Sequence, residues 1–401
     1  MPRLAPVRDL MVRLRCRCLL PDGQIAERTI VLDGERIVQV RPWSSDDPEC
    51  VEGIVVPGLV NAHTHLELSW MDLLPGGDGF VAWGRGLFEA RATAPSEGQQ
   101  ASIAAQAARS LVELGVAAVS DICSEASTVA ALSDAGLSGI VHRELLGFAP
   151  QVRDWQIERA PSLVDTYVGD DVIVYQRPSP HAPYSTPSDL VSACLSASDA
   201  PASIHLAEDA HEDEFLVHGT GEFAVFLDGL NVDWRWWSAP GLRSVPWLAS
   251  LNGLGPETLV VHAVYTHVDD WALLASTQTP VCLCIRSNLQ IGGVAPPIAG
   301  LVEAGVPLCL GTDSLASSPS LDVLDEIPAL VRAAPEIPAV RWLIAATRGG
   351  ADALGMRHLG QIREGTCPGL LQLFIDDPQE LAVAAPARRW IVRPAYRLEA
   401  L

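Results

Sequence analysis

Two histidines, His63 and His65, stand one residue apart at the end of the apolar run VVPGLVNAHTHLELSW (55–70). On an extended strand a spacing of two puts both imidazoles on one face. Such a pair arises by chance, and it gains meaning only if further metal-binding groups occupy comparable places. His181 occurs in SPHAPYS, His205 and Glu208 in HLAED, His262 in VVHAVY and Asp313 in LGTDS. Taken singly, each has an ordinary reading: His262 as a hydrogen-bonded core histidine, Asp313 as a turn or helix cap. Gathered on one rim, they would be costly to desolvate without a shared partner. A divalent metal is such a partner, and imidazoles with a carboxylate suit zinc, or iron in some sites. His142, His211, His218, His267 and His358 have no comparable placement and receive no role.

Strands must carry these groups to one place. Apolar, β-branched runs recur at GIVVPGLVNAHTH, VAAVSDIC, SGIVHREL, DVIVYQRPSPHAP, ASIHLAED, TLVVHAVY, PVCLCIRSN and PLCLGTDS. The segments between them show helical signals. Ile103, Ala107, Leu111 and Leu114 follow helical spacing before Gly115, and Thr186-Pro187 and Thr266 with Asp269 mark helix starts. Continuous apolar strands alternating with helices imply a parallel sheet covered by helices. Eight such units predict an α/β fold, a closed (β/α)8 TIM barrel over residues 57–356, with the polar groups at the C-terminal ends of its strands. An open doubly wound sheet is the alternative, but no Gly-rich phosphate turn follows the first strand. Short strand-like pieces at 1–56 and 357–401 flank the barrel and predict one small β domain formed from both termini, with a hairpin turn at Asp33-Gly34.

Composition narrows the partners. The chain has 401 residues and a formal net charge of −22, which argues against nucleic acid, since phosphate is bound by clustered positive charge. No run approaches a membrane span, and the arginine-rich N-terminus lacks an apolar signal core, so a cytoplasmic protein is expected. Nine cysteines are scattered through the chain, which fits reduced thiols rather than a disulfide framework. Cys16-x-Cys18 and Cys282-x-Cys284 lie in strand-like runs and read as structural thiols before metal ligands. All 27 basic residues are arginine.

The set HTH, HLAE, VVH and GTDS, in this order, resembles the amidohydrolase superfamily of metal-dependent barrels, over nearly the whole chain. His-x-x-Glu on the fifth strand is similar to the aminohydrolase, or deaminase, branch. HTHLELSW, SPHAPYS, RSN and GTDSLASS look most like a group that includes the 6-aminodeoxyfutalosine deaminases of menaquinone biosynthesis. Two departures are Ile285 in CIRSN, where relatives often have proline, and CPGLLQL in place of an Ala-Asp-Leu signature. Binuclear members bridge two metals with a carboxylated lysine, and this chain has no lysine. The resemblance therefore implies one metal per active site.

On this resemblance His63, His65, His205 and Asp313 hold the metal, zinc before iron, whose bound water becomes acidic near neutral pH. His262 and Asp313 orient that water and take its proton, and Glu208 protonates the ring nitrogen beside an amino-bearing carbon. His181 contacts the heterocycle. Glu67 is read as binding a ribose hydroxyl or, equally, as a capping carboxylate. The benzoate of 6-aminodeoxyfutalosine calls for a cation; Arg286 is the first candidate, with a surface or ion-paired arginine as its ordinary reading, and Arg143 is the reserve. Rival readings are an adenosine or S-adenosylhomocysteine type of deaminase, a ring amidohydrolase or triazine chlorohydrolase, an imidazolonepropionase-like ring opening, and a non-catalytic metal-binding protein. Glu208 favours deamination over dechlorination. The expected partner is a small-molecule substrate, and a homo-oligomer is left open.

Overall fold

The computed structural model describes residues 11–124, 127–169, 172–387 and 389–393. The first ten residues, part of the arginine-rich N-terminus read above, lie outside these, as do 394–401 at the end of the second β-domain segment.

The termini build one sheet. Strands β1 (Val12–Leu19), β2 (Ile25–Asp33), β3 (Arg36–Arg41) and β4 (Ile54–Pro57) join β14 (Leu370–Leu373) and β15 (Arg389–Arg393) in the order β15-β14-β4-β1-β2-β3. The Pro21-Asp22-Gly23 turn closes β1 on β2, pairing Leu19 with Ile25, and Asp33-Gly34 closes β2 on β3. Alternation in β1 turns Cys16 and Cys18 inward against Ile30, Leu32, Ile37, Val55 and Leu370. β14 runs antiparallel to β4, so the C-terminal segment completes the sheet that the N-terminal one begins.

The first apolar run, read as one strand, is two. β4 belongs to the terminal sheet and β5 (Leu59–Thr64) to the barrel, with Gly58 between them. A Cβ at Gly58 would lie 2.6 Å from Ala117 Cβ and 2.7 Å from the Pro368 carbonyl oxygen, so only glycine fits where the chain passes between the two units.

The barrel strands form two arcs. The first is β5, β6 (Val116–Cys123), β7 (Ser138–Leu145) and β9 (Ile173–Pro180), with β8 (Asp165–Val168) added antiparallel at its edge. The second is β10 (Ala202–Leu206), β11 (Thr258–His262), β12 (Val281–Leu283) and β13 (Leu308–Leu310). The eight barrel strands pair in parallel within each arc. At one seam Thr64 bridges Asp313, and the N–H groups of Thr312 and Asp313 both donate to the His63 carbonyl at 3.0 Å. At the other seam the His205 N–H donates to the His181 carbonyl at 2.9 Å. Both seams thus run through residues of the candidate site. Val60, Ala62, Ala118, Ile140, Val261, Cys282, Cys284 and Cys309 pack in one buried cluster with strand residues of both arcs.

Two further details differ from the sequence reading. The helix Glu97–Glu113 buries Ala104, Ala108 and Leu111, a shift of one residue from the Ile103–Ala107 face expected. The seventh strand ends at Leu283, and Ile285–Gly292 is a helix rather than the end of a strand. Among the described residues no helix is long and apolar enough to cross a membrane.

Candidate active site

The C-terminal ends of the strands bring the expected imidazoles together. His63 and His65 leave β5 with ring centroids 5.0 Å apart; His205 of β10 lies 4.9 Å from His63 and 5.6 Å from His65. Asp313, after β13, places Oδ1 3.4 Å from His65 Nε2 and 3.7 Å from His63 Nε2. Its other oxygen accepts hydrogen bonds from Ser287 Oγ (2.6 Å) and Ser317 Oγ (2.9 Å), which fix the carboxylate plane. His205 Nδ1 lies 3.0 Å from the His181 carbonyl oxygen, so it carries the proton and Nε2 is left as a free donor atom.

The charges suit a cation. Burial drives His65 down to about 3, and holds His205 well below the usual imidazole range. Burial alone would raise Asp313, but the imidazoles of His63, His65 and His262 outweigh it and hold its carboxyl well below the usual range. Imidazoles that shed their proton readily, His65 and His205, beside a carboxylate that ionises readily suit a divalent metal. Both ring nitrogens of His63 are buried without a hydrogen-bond partner, an arrangement costly for a protein core unless something else is bound there. The residues therefore fit a metal.

Two other groupings bring ligand atoms within 4.8 Å: His63, His205 and His262, and Glu144, His181 and His205. Each needs His205, whose single free nitrogen can serve one ion. The group His63, His65 and Asp313 is the one of the three that joins paired imidazoles to the ionised carboxylate, and His205 stands beside it.

The backbone here is strained. Ala207, His262, Ala263 and Asp313 have φ of 53°, 78°, 51° and 58°, a left-handed region that residues with a Cβ seldom adopt. Each follows or ends a barrel strand. Glu212 holds the first of them: its carboxylate accepts from the N–H groups of Ala207 (2.7 Å) and Glu208 (3.4 Å). Burial pushes Glu212 up to about 8.

That turn aims Glu208 inward. Tyr184 Oη donates to Glu208 Oε2 at 3.3 Å, and Glu208 Oε1 lies 3.4 Å from His262 Nε2. Burial raises Glu208 well above the usual carboxyl range, the direction that suits a proton donor. His262 is pushed down to about 3, again by burial, and Asn288 Nδ2 lies 2.9 Å from its Nδ1.

These groups line a cavity of about 220 Å³. Its floor holds His65, His205, Glu208, His262 and Asp313, and its outer wall is apolar, with Phe80, Trp83, Phe88, Phe148, Phe226 and Leu230. His181 also lines it, as expected, with Nδ1 2.6 Å from Ser185 Oγ. A larger cleft of about 890 Å³ lies at the opposite rim, beside the strand starts at Ser138 and Ile173. It gathers no comparable set of ligands, and barrel chemistry sits at the C-terminal rim, so the smaller cavity is the candidate site.

Three expected substrate contacts fall elsewhere. Arg286 does not line the cavity. Its Nε bonds Glu326 Oε1 at 2.5 Å, and its Nη atoms donate to Ser320 Oγ and to the Ser320 and Asp322 carbonyls. The ordinary ion-paired reading is the correct one, because the chain turns into a helix at Ile285 and a buried acid is waiting. That helix then delivers Ser287 to Asp313 and Asn288 to His262, so Arg286 anchors the site rather than touching a ligand. Glu67 also stays outside the cavity lining. It accepts from the Ser124 N–H (2.9 Å) and Oγ (3.2 Å) and lies 3.6 Å from Arg91. The reserve candidate Arg143 donates to the Ser124 carbonyl at 3.0 Å and likewise does not line the cavity.

Sequence reading missed Glu144, Tyr184, Arg91 and Glu212. Glu144 stands at the end of β7, where the strand-end rule used for the histidines could have found it. Arg91 ends the helix Phe80–Arg91, and nothing in its spacing marks it.

A family model described as the amidohydrolase family matches residues 54–373. The chain belongs to the amidohydrolase family. As a member it is a hydrolase acting on C–N bonds. Its α/β fold is the family's barrel with a small β domain. A 5-methylthioadenosine/S-adenosylhomocysteine deaminase from Bacillus cereus (strain B4264) is 27% identical over 385 residues, covering 89% of this chain and 82% of that protein. An aminofutalosine deaminase from Helicobacter pylori, solved with methylthio-coformycin, has a TM-score of 0.77 at 20% identity, covering 94% of this chain and 98% of that one. An atrazine chlorohydrolase from Arthrobacter aurescens TC1, solved with zinc, has a TM-score of 0.74 at 19% identity, covering 92% and 91%. At these identities the two structures speak to the fold alone.

Proposed function

We propose that this amidohydrolase is a single-metal deaminase that releases ammonia from an aminated purine nucleoside. The observation that carries the reading is the meeting, at one end of one cavity, of three imidazoles and Asp313 with Glu208 and His262. His63, His65, His205 and Asp313 would hold a divalent metal, zinc before iron, which when bound would make a water acidic enough to serve as nucleophile near neutral pH. Asp313 and His262 orient that water and hold the proton it gives up. Glu208 donates its proton to the ring nitrogen beside the amino-bearing carbon, which makes that carbon more electrophilic. The new C–O bond forms, a proton passes to the amino group, the C–N bond breaks and ammonia leaves. Tyr184 holds Glu208 by its second oxygen, and the aromatic wall excludes bulk water and offers faces for stacking the heterocycle.

The finer reading is 6-aminodeoxyfutalosine in menaquinone biosynthesis. The likeness to the methylthioadenosine/S-adenosylhomocysteine deaminase supports an adenine nucleoside with a 5′ substituent. The apolar outer wall suits an aromatic end, and Arg91 at the cavity edge replaces Arg286 as the cation for its carboxylate. The test is ammonia release from 6-aminodeoxyfutalosine, S-adenosylhomocysteine, methylthioadenosine and adenosine. The first should have the highest kcat/KM. Equal or better turnover of adenosine would overturn this substrate and leave deamination standing. The second reading, a triazine chlorohydrolase using the same metal set, predicts that chloride released from a chlorotriazine exceeds ammonia from every nucleoside.

A further inference from the structure

Much of the cavity's outer wall hangs on one helix, Phe80–Arg91, which supplies Phe80, Trp83, Leu87, Phe88 and Arg91 to the lining. The first N–H groups of a helix need acceptors from outside it, and the residue at the N-cap here, Gly79, has no side chain to offer one. Three other loops tie the helix start down. The N–H groups of Gly77 and Gly79 donate to the Ile291 carbonyl at 2.9 and 3.1 Å, and Trp83 Nε1 donates to the Ala316 carbonyl at 3.3 Å. The Phe80 N–H donates to Asp209 Oδ2 at 2.9 Å. Each of these segments also carries a residue of the site. Ile291 lies in the helix that delivers Ser287 and Asn288, Ala316 follows Asp313 in the same loop, and Asp209 directly follows Glu208.

Of these acceptors Asp209 alone is a side chain. It is buried and does not line the cavity. Its Oδ1 is held within its own loop, accepting from the His211 N–H at 2.9 Å, with His211 Nδ1 at the same distance. Its Oδ2 reaches across to the helix, and a Cβ on Gly79 would lie only 3.1 Å from it, so glycine suits this close approach. A second link runs beside the first. The Phe80 ring centroid is 5.0 Å from that of Tyr184, and Tyr184 donates to Glu208 Oε2. The place of the wall helix and the aim of Glu208 are therefore joined twice, once through Asp209 and once through Tyr184.

We propose that Asp209 is a positioning residue: it ties the wall helix to the Glu208 loop, so that a nucleoside's 5′ group packing on the wall helps to aim the proton donor. This rests on the nucleoside reading given above. Binding energy from a part of the substrate remote from the reacting carbon is then used at that carbon, and the 5′ group raises kcat as well as lowering KM.

The test measures kcat and KM separately for adenosine, methylthioadenosine and 6-aminodeoxyfutalosine in wild type, Asp209→Asn and Asp209→Ala, each checked for metal content and melting temperature. In wild type the better of the two 5′-substituted nucleosides should have a higher kcat than adenosine. Asp209→Ala should lower that kcat by about tenfold, the size of one hydrogen bond to a charged group, and bring it toward the adenosine value. The 5′ group should still lower KM in this variant, because the wall itself is intact. Asp209→Asn, whose amide oxygen is a weaker acceptor for the Phe80 N–H, should give a kcat ratio between the two. A merely structural role would lower kcat for all three substrates by one factor and leave their ratio as in wild type. That result in folded, metal-loaded Asp209→Ala would overturn the proposal, as would a wild type whose 5′ group changes KM alone. Where Asp209→Ala does not fold, a wild-type ratio in Asp209→Asn overturns it instead. A wild type that releases ammonia from none of the three removes the functional reading and this inference with it, and is recognised because the unaltered enzyme is itself silent.

Discussion

Arg286→Met separates an anchoring arginine from a substrate-binding one. Methionine keeps the apolar stem and removes the guanidinium, so packing is largely preserved. What it strands is Glu326, whose side chain is 0% exposed against 13% for Arg286. Breaking a buried ion pair by removing one partner costs about 3–5 kcal/mol. The backbone N–H of residue 286 still reaches Glu326 Oε2 at 3.0 Å, which argues for the lower end, about 3 kcal/mol. Burial already pushes Glu326 up to about 7, and loss of its cation pushes it further. A carboxyl raised above its unfolded value stabilises the fold below the unfolded pKa and loses that contribution as pH rises through the folded one. The penalty should therefore be smaller at pH 6 than at pH 8. Urea unfolding of metal-loaded protein at both pH values measures it, and Arg286→Met/Glu326→Leu should recover much of the loss. Kinetically, the variant should penalise carboxylate-bearing and carboxylate-free substrates alike. An unchanged unfolding midpoint with a penalty confined to the carboxylate substrate would refute this account of Arg286.

Other variants probe the rim. Glu208→Gln should retain metal and lose turnover by at least about 10²–10⁴, the range of general acid–base residues, as read by elemental analysis and steady-state kinetics. A metal-loaded Glu208→Gln of near wild-type activity would remove its role. His205→Ala should lose metal and activity together, and a variant that stays fully loaded would take His205 out of the ligand set. Glu212→Ala leaves the Ala207 N–H buried and unpaired, so unfolding should weaken by about 1–3 kcal/mol and kcat should fall as Glu208 loses its aim. A Glu212→Ala as stable and active as wild type would show that the turn holds itself.

Much of this site was legible before any fold was known, because the strand-end rule acts on single residues: His63, His65, His205, His262 and Asp313 each close or follow an apolar run. The pairing of the two termini was legible for the same reason, since short alternating runs flanked the barrel and had no other partner. The substrate contacts were not. Arg286 was assigned to a strand end, but the strand stops at Leu283, and its partner Glu326 lies forty residues on with no local pattern to announce it. The run Arg286-Ser287-Asn288 served only as a likeness, although Ser287 and Asn288 bond Asp313 and His262. Hydrogen bonds between distant loops leave no periodicity in a sequence. The split of the first strand at Gly58 was hidden because both halves are apolar and buried, so neither polarity nor alternation marks the break.

The central claim is that one metal at one rim deaminates a nucleoside. Titrating zinc into metal-free protein while recording ammonia release from 6-aminodeoxyfutalosine, with S-adenosylhomocysteine and adenosine in parallel, tests it most directly. The account predicts that ammonia release rises linearly and breaks at one equivalent per chain, for at least one of the three nucleosides. A break at two equivalents, or no ammonia at any loading, would contradict it.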